Sequence, residues 1–294
     1  MLHVVGFVEF CNRIILAFHL DLLQCLIPQG NGFPARQGDP DQILLTWPVG
    51  VVNNGLNMDF EVSLTAATLE RRYKRFLADV RLPDGRVMTV HCPNTGAMLG
   101  CAEPGSEIWL SHSDNPKRKY AWTWELVRVG SSLVSVHPGR SNRLVDEAIR
   151  GGIIAPLQGY TECRGEVAYG LEGSRADFFL SGHAGKPDCF LEVKNVTALS
   201  APGIAIFPDA VSTRGSRHLR ELAAWSRSGG RAALCFCVAR DDAGEVRPAD
   251  GIDPQYGLEL RRALAAGVEV LAYRARVSPE GIRLYREVPV YCPG

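Results

Sequence analysis

The hydrophobic period of the chain changes at His137-Pro138-Gly139, and this break constrains the fold more than any other feature. Before it, apolar residues alternate in short runs separated by turn residues. The runs are LTAATLERRYKRFLADVRL, then RVMTVHC after Pro83-Asp84-Gly85, then EIWLSHS, YAWTWELVRV and SLVSVH after Pro93-Asn94-Thr95-Gly96. Alternation with a period of two predicts strands, because successive side chains point to opposite faces of a sheet. Five short strands in this span fit a small OB-like β-barrel.

After the break, helical and strand periods interleave. Ser141-Asn142-Arg143 opens a helix with an apolar stripe of Leu144, Val145, Ala148 and Ile149, stopped at Gly151-Gly152. Strands follow at RGEVAYG, SRADFFLS and CFLEVKNV. Next come a helix through HLRELAAW with Leu219, Leu222, Ala223 and Ser226 on one side, a buried strand RAALCFCVA, a helix LELRRALAAG, and terminal strands at VEVLAYRA and IRLYREVPV. This order predicts a mixed sheet flanked by helices. The expected fold class is therefore two-domain, α+β or α/β, with a barrel at 58–136 and a helix-flanked sheet at 137–294.

Residues 1–57 do not share either pattern. The first 28 are rich in Leu, Ile, Val and Phe, but Glu9, Arg13, His19 and Asp21 interrupt them, and a charge at a bilayer centre costs roughly 2.5–3.5 kcal/mol on insertion scales. No basic leader region or small-residue cleavage site is present either. Residues 29–57 mix Gly, Pro, Asn and Asp with apolar residues in no sustained period. The expectation is an atypical extension of upstream sequence, with the working protein beginning near Met58.

Lys+Arg and Asp+Glu are both 32, so no global basicity points to a polyanion, and any electrostatic signal is local. Residues 64–136 hold ten Lys/Arg against seven Asp/Glu. Arg71, Arg72, Lys74 and Arg75 alternate with Tyr73 and Phe76, and Lys117, Arg118 and Lys119 precede Tyr120, Trp122 and Trp124. Cations attract phosphates and rings stack on bases, so these are candidate nucleic-acid-binding residues. Core aromatics on solvated basic strands would give the same pattern. His91 and Cys92 resemble a metal or catalytic pair, but neighbours on a strand face opposite ways. The nine cysteines include no C-x-x-C pair, which predicts buried free thiols in a reducing, cytoplasmic setting. Cys235 and Cys237 share a strand face, with no second pair to complete a zinc site.

The chemistry-bearing residues lie in the second region. Glu192 and Lys194 flank Val193 and project from one face of a strand, and fourteen residues separate Asp177 from Glu192. A hairpin between the two strands would bring the carboxylates together, where they repel unless a cation lies between them. Hard oxygen ligands suit Mg2+ or Mn2+. Such a metal polarises a phosphodiester and activates water, with Lys194 placed to orient that water or neutralise developing charge. Chance produces the same three residues on an ordinary surface strand. Glu147 is a candidate third metal carboxylate, with Glu166 competing for the role. Arg214, Arg217 and His218 precede or open a helix whose N-terminus attracts phosphate; a solvated helix start is the simpler account of them.

The blocks RRYKRFLADV, HCPNTG, TWELV, EVAYG, SRADFFL, EVKNVT, FPDAVSTRG, HLREL and GVEVLAY resemble, in order and spacing over residues 62–290, the sugar fermentation stimulation protein A family. The resemblance implies an OB-like domain followed by a PD-(D/E)xK nuclease-like domain. It also implies nonspecific DNA binding and a role in regulating sugar (maltose) metabolism genes. Asp177 then takes the place of the motif's first acid, and Glu192 and Lys194 those of its E-x-K. The expected proline before the first acid is Ala176 here.

Two functional readings follow. One is a cytoplasmic DNA-binding protein with a Mg2+- or Mn2+-dependent nuclease centre; the other is a DNA-binding regulator that uses the nuclease fold only as a scaffold. RNA in place of DNA is left open. A sugar-sensing factor is a third reading, for which no sugar-binding constellation is present.

Overall fold

The computed structural model describes residues 44–46 and 58–293. Apart from Leu44–Thr46, the expectation for residues 1–57 lies outside the described residues. The described residues belong to one compact unit. Strands β1 (Leu44–Thr46) and β2 (Met58–Asp59) precede the barrel strands β3 (Thr65–Tyr73), β4 (Leu77–Arg81), β5 (Val87–His91), β6 (Glu107–His112), β7 (Trp122–Val129) and β8 (Ser132–Ser135). These six pair in the order β5-β4-β3-β6-β7-β8, and a β5–β7 bridge at His91 and Thr123 closes the sheet on itself. Leu69, Val80, Val90, Leu110 and Trp124 fill its interior, each worth roughly 1.5–3 kcal/mol of apolar burial.

The barrel has one strand more than the sequence reading expected. The run from Leu64 to Leu82 folds back between Tyr73 and Leu77 as the β3–β4 hairpin. Lys74 (φ 51°) and Arg75 (φ 65°) make this turn in the left-handed region, which non-glycine residues seldom adopt, so no Gly or Asn marked it. The aromatics also divide differently. Trp124 is fully buried and its ring N–H donates to the Leu126 carbonyl at 2.8 Å, so it cannot stack on a base.

A single turn of 3-10 helix (Pro138–Arg140) leads into α1 (Ser141–Arg150), which buries the predicted stripe. Then come β9 (Glu162–Tyr169), β10 (Ser174–Ser181), β11 (Cys189–Val196), β12 (Leu199–Ala201), β13 (Ile204–Phe207), α2 (Thr213–Arg227), β14 (Arg231–Val238), β15 (Glu245–Pro248), α3 (Pro254–Ala265), β16 (Glu269–Val277) and β17 (Gly281–Glu287). The large sheet runs β1-β9-β10-β11-β14-β16-β17-β2. β11, β14 and β16 are parallel, and α2 and α3 supply the crossovers that parallel neighbours need. Ser212 caps α2 by accepting from Gly215 N–H, and Asp253 caps α3 by accepting from Tyr256 N–H.

The sheet therefore has a core on each face. α1 covers Cys163, Leu180, Leu191, Val193 and Cys235, while α2 and α3 cover Phe190, Leu234, Phe236 and Ala272. A small sheet, β12-β13-β15, lies on the second side and was not anticipated from the sequence. Its strands are three or four residues long, too short to show a period. Among the described residues no helix is long and apolar enough to cross a membrane. The described cysteines are free thiols, all buried except the half-buried Cys292.

Candidate active site

The site forms where two strands separate. β10 and β11 pair from Leu180–Cys189 to Phe178–Leu191, and the ladder stops one residue short of Asp177 and Glu192. The Val193 N–H lies beyond that last pair and donates instead to Asp177 Oδ2 at 2.7 Å. The other oxygen, Oδ1, accepts from the Asn142 side-chain amide at 2.9 Å, which anchors the start of α1 to the same acid. Beside it, the Ser141 hydroxyl donates to Asn195 Oδ1 at 2.9 Å. The first turn of α1 thus holds both β10 and β11 at the point of divergence.

Glu192 and Lys194 project from the opposite face of β11 to Val193. Lys194 Nζ donates to Glu192 Oε1 at 2.5 Å, with the side chains only 15% and 4% exposed. His218 Nδ1, from α2, bonds the same oxygen. Arg214 Nε donates to His218 Nε2 at 3.3 Å, so the ring proton sits on Nδ1 and points at Glu192. Glu192 Oε2 is buried and, among the described residues, has no hydrogen-bond partner.

The two acids differ in electrostatics. Burial and then the charge of Glu192 raise the Asp177 carboxyl above the usual range, against its hydrogen bonds from Val193 and Asn142. Burial would raise Glu192 as well, but the hydrogen bond from His218 and the Lys194 ammonium outweigh it and hold Glu192 below its ordinary value. Glu192 is bonded directly to the Lys194 ammonium and to His218, whereas Asp177 has neutral donors and only the more distant pull of the same ammonium.

Asp177, Glu192 and Lys194 are thus brought together, while the secondary candidates scatter. Glu147 accepts from Arg143 Nε at 2.8 Å on α1. A helix turns about 100° per residue, so aiming Asn142 at Asp177 rotates Glu147 away. Glu166 is exposed on β9 with φ 54°, in the gap of the β9–β10 register opposite Asp177. Among the described residues no group of three or more His, Cys, Asp or Glu side chains could hold a metal ion. His218 is 1% exposed, so it contacts Glu192 and not a phosphate at the surface. Arg214 is exposed beside it, and Arg217 is partly buried with its Nε unpartnered.

In the barrel, Arg72 gives its guanidinium to the carbonyls of Arg75, Asn94 and Gly96 and so braces the HCPNTG loop. Arg71 pairs with Asp79 and Arg118 bonds Thr123. Lys74, Arg75, Lys117 and Lys119 stand exposed. The braced loop lines a cleft of about 200 Å³ through Asn94 and Gly96, facing Pro138, Asn195, Thr197 and Asp209. Asp209 accepts from the Met98 N–H at 3.0 Å and ties the loop to the second region.

Two family models match this chain: the SfsA N-terminal OB domain over residues 71–136 and the sugar fermentation stimulation protein RE domain over residues 139–281. A sugar fermentation stimulation protein homolog from Thioalkalivibrio sulfidiphilus is 59% identical over 79% of this chain and 98% of its own. The chain belongs to the sugar fermentation stimulation protein family. A second family member, from Alkalilimnicola ehrlichii, is 57% identical over 80% of the chain and all of the relative. Among solved structures, Pyrococcus furiosus SfsA in complex with Ca2+ superposes with a TM-score of 0.71 at 25% identity, covering 80% of this chain and 98% of that one. Membership explains the order of barrel and mixed sheet, and the expected OB-like barrel is present.

Sequence reasoning missed Asn142 and the role of His218. The helix through HLREL carries His218 one turn before Leu222, within the buried stripe. A histidine in an apolar stripe needs a polar partner, and that was the available signal. Asn142 carried none, since an Asn in the first turn of a helix is unremarkable.

Proposed function

We propose that this chain is a metal-dependent phosphodiesterase acting on nucleic acid, with Asp177 and Glu192 as metal ligands and Lys194 beside the reacting phosphate. The observation that carries the reading is the buried, unpartnered Glu192 Oε2 next to an Asp177 whose ionisation is opposed by burial and by Glu192. A buried carboxylate oxygen without a partner is costly, and a divalent cation satisfies it while cancelling the repulsion. Two carboxylates suffice for Mg2+ or Mn2+, which keep several waters. When bound, such an ion supplies Lewis acidity and an activated water.

The chain's own residues supply position. Asn142 and Val193 fix the orientation of Asp177; His218 and Lys194 hold Oε1 of Glu192 and leave Oε2 free. Lys194 lies where an ammonium neutralises charge developing on a phosphate. Ca2+ in the similar Pyrococcus furiosus protein is another hard, oxygen-seeking cation and supports the same class of ion. The exposed barrel cations Lys74, Arg75, Lys117 and Lys119 suit the strand on either side of the reacting phosphate.

A second reading is a DNA-binding regulator of sugar metabolism genes whose nuclease-like centre is inactive. The lack of a third acid in reach among the described residues favours it. Incubation of the purified chain with labelled duplex DNA, single-stranded DNA and RNA, with Mg2+ or Mn2+, separates the two. The first reading expects cleavage that Asp177→Asn and Lys194→Ala abolish while binding in chelator persists. Binding without cleavage of any substrate would leave the regulator.

A further inference from the structure

The outer face of the β16–β17 hairpin carries charges that the candidate active site does not use. Arg274 is paired with Arg286 and Arg276 with Arg283 across antiparallel strands. Like charges directly opposite one another destabilise a sheet. Among the described residues none of the four has an acidic partner; the only hydrogen bonds of the group run from Arg274 Nη1 to the carbonyls of Asp241 and Ala243. Arg276, Arg283 and Arg286 are exposed. The register skips Tyr285, and its ring lies 5.3, 5.0 and 6.0 Å from the guanidinium carbons of Arg274, Arg276 and Arg286. In a chain with a formal net charge of zero, this is a concentrated basic face.

Register places this face relative to the acids. Val196 of β11 pairs with Val238 of β14, which pairs with Arg274 of β16. Paired residues share a face, and so do residues two apart on a strand. Glu192, Lys194, Val196 and Arg274 therefore lie on one side of the sheet, with β11 and β16 about 10 Å apart at two strand spacings.

We propose that the β16–β17 hairpin is a second nucleic-acid contact, on which Arg274, Arg276, Arg283 and Arg286 grip the phosphate backbone of the strand presented to Asp177, Glu192 and Lys194. Guanidinium groups match phosphate oxygens in a fixed fork, and a row of phosphates removes the repulsion between the cross-strand pairs. The contacts are to the backbone, so they carry no base sequence. An anionic membrane would also attract arginines, but the one large ring here lies against guanidiniums instead of protruding as an anchor. The inference rests on the reading that the chain acts on nucleic acid, and it adds the surface that holds the substrate.

The test is fluorescence anisotropy of the full chain with a labelled DNA duplex in chelator, across a salt series, beside its Arg276→Ala/Arg283→Ala variant. Each lost phosphate contact lowers the slope of log affinity on log salt by about 0.9, so the double variant is expected to lose about 1.8 in slope. Its melting temperature is expected to hold or rise, because two opposed charges are gone, which separates lost contact from lost fold. Wild-type affinity and slope in the double variant would overturn this inference and leave the proposed function standing. A wild-type chain that binds no nucleic acid would overturn both, and preferential binding to phosphatidylglycerol vesicles would replace this partner with a membrane.

Discussion

Asp177→Asn and Glu192→Gln are nearly isosteric changes at adjacent acids, yet the structure predicts stability shifts of opposite sign. Glu192 neutralises the buried ammonium of Lys194 and accepts from His218. Removing one partner of a buried ion pair costs about 3–5 kcal/mol, and Lys194 is 15% exposed, which places Glu192→Gln near the lower end, about 3 kcal/mol. For a unit of this size each kcal/mol moves the melting temperature by about 2–4 °C, so a fall of about 6–12 °C is expected. Asp177 instead bears burial and the repulsion of Glu192. An asparagine there keeps an oxygen for the Val193 N–H and a partner for a turned Asn142 amide, so Asp177→Asn is expected to raise the melting temperature. The pH dependence follows in sign. Below the ordinary aspartate pKa both folded and unfolded Asp177 are protonated, and wild type matches the asparagine variant. As pH rises through the elevated folded value, the wild type loses stability relative to the variant. The Glu192 contribution has the reverse form, present above the ordinary glutamate pKa and lost as pH falls through the lowered folded value. Differential scanning calorimetry in chelator at several pH values measures all of this. Equal destabilisation by both variants would refute the assigned electrostatics.

Other expectations follow from packing and capping. In Gly96→Ala the new Cβ would lie 2.5 Å from the Asp209 carboxylate, displacing it from the Met98 N–H; a loss of about 1–3 kcal/mol is expected by denaturant titration. Ser212→Ala removes the α2 cap and is expected to cost about 1 kcal/mol in the same assay. Burial pushes the thiols of Cys163, Cys189 and Cys237 up to about 12, so alkylation mapped by mass spectrometry at pH 8 is expected to modify Cys292 before any of them.

The two-part plan was legible through the change of period at His137-Pro138-Gly139 and through the stripe of α1, which buries the face it predicted, although β6 and β7 bury both of their faces. The sequence made Glu192 and Lys194 legible because residues two apart on a strand must share a face, and Asp177 because the strand that carries it pairs with theirs as a hairpin. It concealed the β3–β4 turn, where Lys74 and Arg75 adopt positive φ without the residue types that announce it. It concealed the division of the basic residues as well. Whether Arg72 braces a loop or meets solvent depends on carbonyls at Asn94 and Gly96, more than twenty positions away. Glu147 was misplaced for a related reason. The apolar stripe showed which side of α1 meets the sheet, but that Asn142 and not Glu147 reaches Asp177 rests on the bond between Asn142 and Asp177.

The parting of β10 and β11 puts a spectroscopic handle into the site. With the strand ladder ended, the Val193 amide proton is held by the carboxylate of Asp177 in place of a neighbouring strand's carbonyl. Its nitrogen chemical shift and its rate of exchange with solvent deuterium therefore follow the charge on that acid directly. Protonation of Asp177, or a cation drawing on its oxygens, can be read at one backbone position without a substrate or a turnover.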